Sequence, residues 1–398
     1  MKNNLIFIFD ICKIDMCKIL NESLLIIAFF YLIIHSYTYK ILIYKEYVKK
    51  CRQKEFINQQ ISVYPDNIFL SICIPAYNME KYIESALLSL INQSFKYFEI
   101  IIVNDNSNDK TQNIIMKMQE KDKRIKYVNH SKNLGVYASR ADGILNAVGK
   151  YILLMDPDDI ILNGDLFKEL YNYNEKYNLD IIEFLVYHQK EGKNNIRIPK
   201  DQALSHYHNY KKNIIIQPEL SEIIYYKPNS KEYSQIICRT IWNKLIKKKI
   251  MLNSVNYLNN DYFKNQFLIA ADDTPLNILS FHFANNYSNI NLPGYLYNLR
   301  EDGMSSDNKG NIEHDLILSY NFLLYFKFFF KYIIIFNKDI NFFLYDFKPF
   351  SVYLLKLKDL NATEYIPKTI LFFKEIRNEN ISETFKKYID ELIVYFLK

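Results

Sequence analysis

Residues 151–159, Tyr-Ile-Leu-Leu-Met-Asp-Pro-Asp-Asp, end a short apolar run in three carboxylates: Asp156, Asp158 and Asp159. An apolar run of that length predicts a buried parallel strand. Ligands of open α/β sheets gather at the carboxyl ends of such strands. Carboxylates crowded there repel one another and lose solvation unless a cation joins them. The chemistry implied is a divalent metal site, and hard oxygen ligands favour Mg2+ or Mn2+. A solvated acidic loop is the plain alternative for a lone triplet. Asp105 argues against it, because it too follows an apolar run, Glu99–Val103.

These residues need a scaffold, and the chain from Phe69 onward predicts one. Phe69–Pro75 reads as a strand, then Asn78 as the N-cap of a helix with Ile83, Ala86, Leu87, Leu90 and Ile91 on one face. Glu99–Val103 is a second strand, followed by a helix with Ile114, Ile115 and Met118 inward. Ile125–Val128 is a third strand, and the next helix carries Ala141, Ile144, Leu145 and Val148 as its apolar stripe. Tyr151–Met155 closes the series. Such alternation implies a mostly parallel α/β sheet flanked by helices, with right-handed crossovers. Asp105 and Asp156 then converge on one sheet edge. A nucleotide suits that edge, since a ribose needs acceptors and a diphosphate needs a metal.

Several function classes drop out. No Gly-x-Gly-x-x-Gly follows the first strand and no Gly-x-x-x-x-Gly-Lys-Ser/Thr occurs, which excludes the common dinucleotide and P-loop cradles. A net charge of +6, spread without a basic block, gives no case for nucleic acid. The five cysteines (Cys12, Cys17, Cys51, Cys73, Cys238) show neither zinc spacing nor a disulfide framework. His206, His208 and His282 match no metal spacing. Gly135, Gly143 and Gly149 account for three of only eight glycines, which marks tight backbone just before the acidic strand.

The runs Leu70-Ser-Ile-Cys-Ile-Pro-Ala-Tyr-Asn78, Ile101-Ile-Val-Asn-Asp-Asn-Ser-Asn-Asp109, Asn133-x-Gly135, Ala138-Ser-Arg140 and Asp156-Pro-Asp-Asp159 together resemble family 2 glycosyltransferases. The resemblance covers roughly residues 68–305. It implies a GT-A (Rossmann-like) fold, a nucleotide-sugar donor such as a UDP- or GDP-sugar, and hexosyltransferase-type inverting transfer. By position it places Pro75, Ala76, Tyr77 and Glu80 at the nucleotide, Asp105 at base or ribose, and Asp156 and Asp158 at the metal and diphosphate. Ala141 departs from the Asn often found after Arg140, which itself remains. The family's catalytic base falls at Asp273, with Asp272 in place of a Glu. Asp ahead of Thr274-Pro275 also reads as a helix cap. Ile241-Trp-Asn-Lys-Leu245 matches a segment of related bacterial transferases; its Trp242 is a sugar platform or a packed core residue. Tyr295-x-Tyr297-x-x-Arg300 with Gly303–Ser306 resembles the family's closing loop. There Arg300 meets phosphate, or pairs at the surface with Glu301 or Asp302.

Around this domain (67–305) lie an N-terminal segment (1–66) and an aromatic-rich helical region (306–398). Leu24–Tyr44 is long enough to span a bilayer as one helix, although its unbroken apolar part, Leu24–Ile34, suits an interfacial helix. Lys40, Lys45, Lys49, Lys50, Arg52 and Lys54 behind it place the catalytic domain in the cytosol; a lumenal orientation stays open in so Lys-rich a chain. Leu318–Phe336 is apolar nearly all round apart from Lys327 and Lys331; a helix packed on the transferase domain is expected, with a partner surface or a membrane-resting helix as the alternatives. The function expected is metal-assisted sugar transfer to a glycan or lipid hydroxyl. The rivals are a catalytically silent nucleotide-sugar-binding or scaffold protein on the same fold, and a nucleotidyltransferase, for which the Gly-rich loop is missing.

Overall fold

A computed structural model describes residues 68–190, residues 240–300 except 262, 264, 265 and 271, and helical pieces at 312–335, 365–378 and 383–397, with short fragments at 196–197, 215–216 and 354–355. The expected N-terminal apolar helix lies outside the described residues. Among the described residues no helix is long and apolar enough to cross a membrane.

Strands β1 (Leu70–Ala76) and β2 (Phe98–Asn104) are buried at every position. Full burial on both faces explains why they read as continuous rather than alternating apolar runs. With β3 (Ile125–Asn129) and β4 (Tyr151–Leu154) they form the parallel half of the sheet, ordered β3-β2-β1-β4. Three helices make the crossovers: α1 (Ile83–Ile91), α2 (Thr111–Lys121) and α3 (Val136–Asn146). Helix α1 buries Ile83, Ala86, Leu87 and Leu90; Ile83, Leu87 and Leu90 each contribute about 1.5–3 kcal/mol relative to exposure. Helix α3 lies close to β1 because Gly143 has no side chain: a Cβ there would sit 2.9 Å from Cys73 Cβ.

The second half of the sheet corrects the mostly parallel expectation. Beyond β4 come β9 (Lys244–Lys247), β6 (Ile181–Lys190), β10 (Asn286–Leu299) and β5 (Ile160–Ile161). Strand β9 runs antiparallel to both β4 and β6, and β10 is parallel to β6 but antiparallel to β5. Two short strands, β7 (Ile196–Arg197) and β8 (Ile215–Ile216), add antiparallel edges. The sheet is therefore mixed. The β-α-β alternation that predicts parallel strands stops at residue 154. β9 enters only after a long excursion, with no periodicity to announce its direction.

Smaller expectations also change. Asn78 caps no helix: α1 starts at Ile83, and Asn78 takes a left-handed conformation (φ 54°) in the loop before it. Leu145 is half exposed, and Val148 lies past the end of α3. Ile91 and Ile114 are only partly buried. The remaining helices are α4 (Leu166–Tyr177), α5 (Lys248–Asp261), α6 (Asp273–Phe283), α7 (Ile312–Ile335), α8 (Ile366–Arg377) and α9 (Glu383–Leu397). Helix α7 packs into the domain as its apolar composition predicts. Phe328 meets Tyr257 and Phe263, and Tyr332 meets His282 of α6.

Candidate active site

The carboxyl ends of β2, β1 and β4 lie side by side, and the residues just beyond them form one wall of a cleft of about 260 Å³. Asp105 leaves β2 with its backbone N–H bonded to Ala76 O (2.8 Å). Its carboxylate is held on both oxygens. Oδ1 faces His130 Nδ1 (2.7 Å) and accepts from Leu134 N–H (2.8 Å), while Oδ2 accepts from Gly135 N–H (2.8 Å). His130 Nε2 in turn faces Asp142 (2.9 Å). Gly135 permits this turn. Its φ is 91°, and a Cβ would meet Leu268 O at 2.4 Å.

The loops after β1 and β2 are stitched together. Asn78 accepts from Asn108 N–H, Thr111 Oγ1 from Met79 N–H, and Asp109 from Glu80 N–H. Glu80 itself accepts from Lys110 N–H (2.9 Å) at the start of α2. It therefore works between loops and does not line the cleft.

Arg140, on the second turn of α3, is the hub. Its side chain is 6% exposed. Nη2 donates to Asp156 (2.7 Å), and Nη1 to Asp272 (2.7 Å) and Asp273. Burial works against the cation, yet the charges of Asp272, Asp273 and Asp156 keep it protonated well above its ordinary range. Its Nε is buried without a hydrogen-bond partner among the described residues. Asp272 is N-cap of α6 by position, but its side chain caps nothing. Burial pushes the Asp273 carboxyl up to about 7, with Arg140 pulling the other way and Asp272 adding repulsion.

On the opposite side Arg300, directly after β10, places Nε 2.7 Å from Asp158 and its guanidinium 4.9 Å from the Tyr82 ring centre. Burial and then the charge of Asp156 raise Asp158 to about 6. Asp159 is fully buried and accepts from Tyr295 Oη (2.7 Å) and Asn298 N–H (2.8 Å), tying β4 to β10. Burial and the neighbouring Asp158 push its carboxyl well above the usual range. Tyr295 and Tyr297 belong to strand β10, and Gly303–Ser306 of the expected closing loop lie outside the described residues. Trp242 is buried and stacks on both rings, at 4.7 and 5.2 Å. Its place is therefore in the packing that holds Tyr297 at the cleft. Beside it Lys244 is wholly buried, with Nζ bonded to Thr240 O (2.7 Å) and Asn243 Oδ1 (3.0 Å) and 3.6 Å from Glu183.

The family model for glycosyl transferase family 2 matches residues 71–252. Glycosyltransferase GlyA of Streptococcus pneumoniae is 28% identical over 241 residues, spanning 59% of this chain and 31% of that protein. GalNAc(5)-diNAcBac-PP-undecaprenol beta-1,3-glucosyltransferase of Campylobacter jejuni is 36% identical over 109 residues, 27% of this chain and 35% of that protein. The match thus covers about a third of these curated relatives. The crystal structure of S. aureus TarS 1–349 with UDP-GlcNAc is similar at 20% identity and TM-score 0.46, over 67% of this chain and 73% of that one.

The fold brings most of the sequence-derived candidates to one place. Pro75, Ala76, Tyr77, Asp105, Arg140, Asp156, Asp158 and Arg300 line the cleft. Asp272 and Asp273 reach it through Arg140, and Glu80 stays outside. Sequence reasoning missed Ile269 and Asn298 in the lining, and the His130 tie behind Asp105. The strand period of β10 was the available signal for Asn298; none existed for Ile269. Among the described residues no three His, Cys, Asp or Glu side chains gather closely enough to hold a metal alone. The donor set still fits a shared ion. Mg2+ and Mn2+ commonly take one or two carboxylates and complete their shell with phosphate and water. Asp156 and Asp158 supply the two carboxylates, and both line the cleft.

Proposed function

We propose that this chain is an inverting glycosyltransferase of GT-A type that moves a sugar from a nucleotide-diphosphate sugar to a hydroxyl of a glycan or lipid-linked acceptor. The observation that carries the proposal is the Arg140 bridge. One guanidinium joins Asp156, at the donor end, to Asp272 and Asp273, at the acceptor end, so both halves of a transfer reaction share one site. Asp105 and Tyr77 receive the nucleoside, and Arg300 and the unspent Nε of Arg140 meet the diphosphate. Asp156 and Asp158 would hold Mg2+ or Mn2+, which supplies charge neutralisation for the departing diphosphate. Asp273 takes the proton from the acceptor hydroxyl as its oxygen attacks the anomeric carbon and the bond to the diphosphate breaks. A carboxyl raised to about 7 is matched to that role near neutral pH. The Campylobacter jejuni relative, named as acting on an undecaprenol-linked glycan, supports an acceptor of this class.

Titrating UDP in the presence of Mn2+ tests the donor end. Asp158 must lose its proton to bind a cation, so affinity is expected to be flat above about pH 6. Below it, affinity should fall by up to about tenfold per pH unit. UDP affinity that is unchanged by EDTA and level from pH 5 to 8 would remove the metal from the scheme.

A further inference from the structure

Asn321 sits in the middle of helix α7, outside the matched family 2 region, and is 1% exposed. A buried amide among Phe and Leu side chains costs stability unless its polar atoms are used. Among the described residues its side-chain hydrogen bonds go to one short strap of chain. Oδ1 accepts from Ile269 N–H (2.8 Å) and Ala270 N–H (3.3 Å), and Nδ2 donates to Phe267 O (3.0 Å). The strap is gripped from its other side by α3, where Val136 N–H bonds Leu268 O (2.7 Å) beside Gly135. Ile269 lines the cleft, and two residues beyond Ala270 the chain reaches Asp272 and Asp273.

We propose that Asn321 is a positioning residue for the transfer reaction: through the 267–270 strap it sets the place of the Asp272–Asp273 pair against Arg140. The proposal rests on the transferase function proposed above. Asn321 touches no reacting atom. Its effect passes along the strap into the start of α6, where a displacement of the base matters more to the chemical step than to nucleotide binding. Asn321 does not contact Asp105 or the β1 and β2 loops at the nucleoside end; the strap reaches that end at Leu268, whose own bond to Val136 N–H does not involve Asn321.

The test is Asn321→Leu, of similar volume without polar atoms, assayed with the UDP- or GDP-sugar that the wild type hydrolyses fastest with Mn2+. A kcat at least tenfold lower, with UDP affinity within threefold of wild type and faster amide exchange at 266–270, supports the role. Asn321→Ser shortens the tie and must show the same split, and it decides the matter if the leucine chain does not fold. Tyr332→Phe is the control. It removes a contact from the same helix to His282 and should leave kcat within twofold. A folded Asn321 variant with unchanged kcat, an equal loss of kcat and UDP affinity, or the same loss in Tyr332→Phe would overturn the proposal alone. A wild type that turns over no donor would overturn the transferase function and this role with it.

Discussion

Asp273→Asn is expected to lower transfer by about 10²–10⁴-fold, the usual worth of a positioned general base. The amide keeps the shape and one hydrogen bond from Arg140 but cannot accept the acceptor's proton. Donor affinity should stay within a fewfold, because Asp273 lies beyond Arg140 from the cleft residues that receive the nucleotide. The wild-type kcat should fall about tenfold per unit below about pH 7, where Asp273 is protonated and useless as a base. In Asp273→Asn that acid limb should vanish from the residual rate. The reading fails if the variant loses donor affinity as strongly as rate, for Asp273 is then a structural support of α6.

Arg140→Met is expected to have the largest effect on the fold itself. It leaves Asp272, which is 2% exposed, and its neighbours Asp273 and Asp156 without their shared cation. Breaking a buried ion pair from one side typically costs about 3–5 kcal/mol. The sign with pH follows from the carboxylates. Without the guanidinium the carboxyl of Asp273, already raised to about 7, rises further and holds in the fold a proton that it releases when unfolded at neutral pH, so the loss is greatest there. It should shrink as pH falls toward the ordinary carboxylate range, where both states are protonated. Arg140→Lys keeps the charge but not the fork, and one ammonium does not replace two donor nitrogens shared among three carboxylates. Thermal melts at pH 5 and pH 8 measure both variants. Equal destabilisation at the two pH values would show that the lost packing of the side chain, and not its charge, is what matters.

How much of this was readable beforehand depends on where each partner lies in the chain. Asp105 and Asp156 were legible because each follows a buried strand, and parallel strands carry such residues to one edge. The parallel half of the sheet was legible for the same reason. The Arg140 hub was not, since Asp272 and Asp273 lie more than a hundred residues further on, and only tertiary packing brings α6 against α3. Glu80 illustrates the reverse. Its place beside Pro75-Ala-Tyr77 suggested the nucleotide, but a free helix N–H at Lys110 claims it first. Trp242 showed no sign of its stacking partners, because Tyr295 and Tyr297 reach it only through the β6–β9–β10 arrangement. Asn321 carries no signal in the sequence, and its use appears only when the strap is in place.

The most direct measurement of the central claim is a thermal-shift panel of UDP- and GDP-sugars with Mn2+, run on the wild type and on Asp156→Ala. A ligand held only by the folded state stabilises it by mass action, by about 2.7 kcal/mol at a hundred times its dissociation constant. One class of nucleotide sugar is expected to raise the wild-type melting temperature by several degrees, with the shift lost in EDTA and in Asp156→Ala. A wild type whose melting temperature no nucleotide sugar moves, or an Asp156→Ala chain that shifts as far as the wild type, would show that the cleft beside Asp105 and Asp156 is not a donor site.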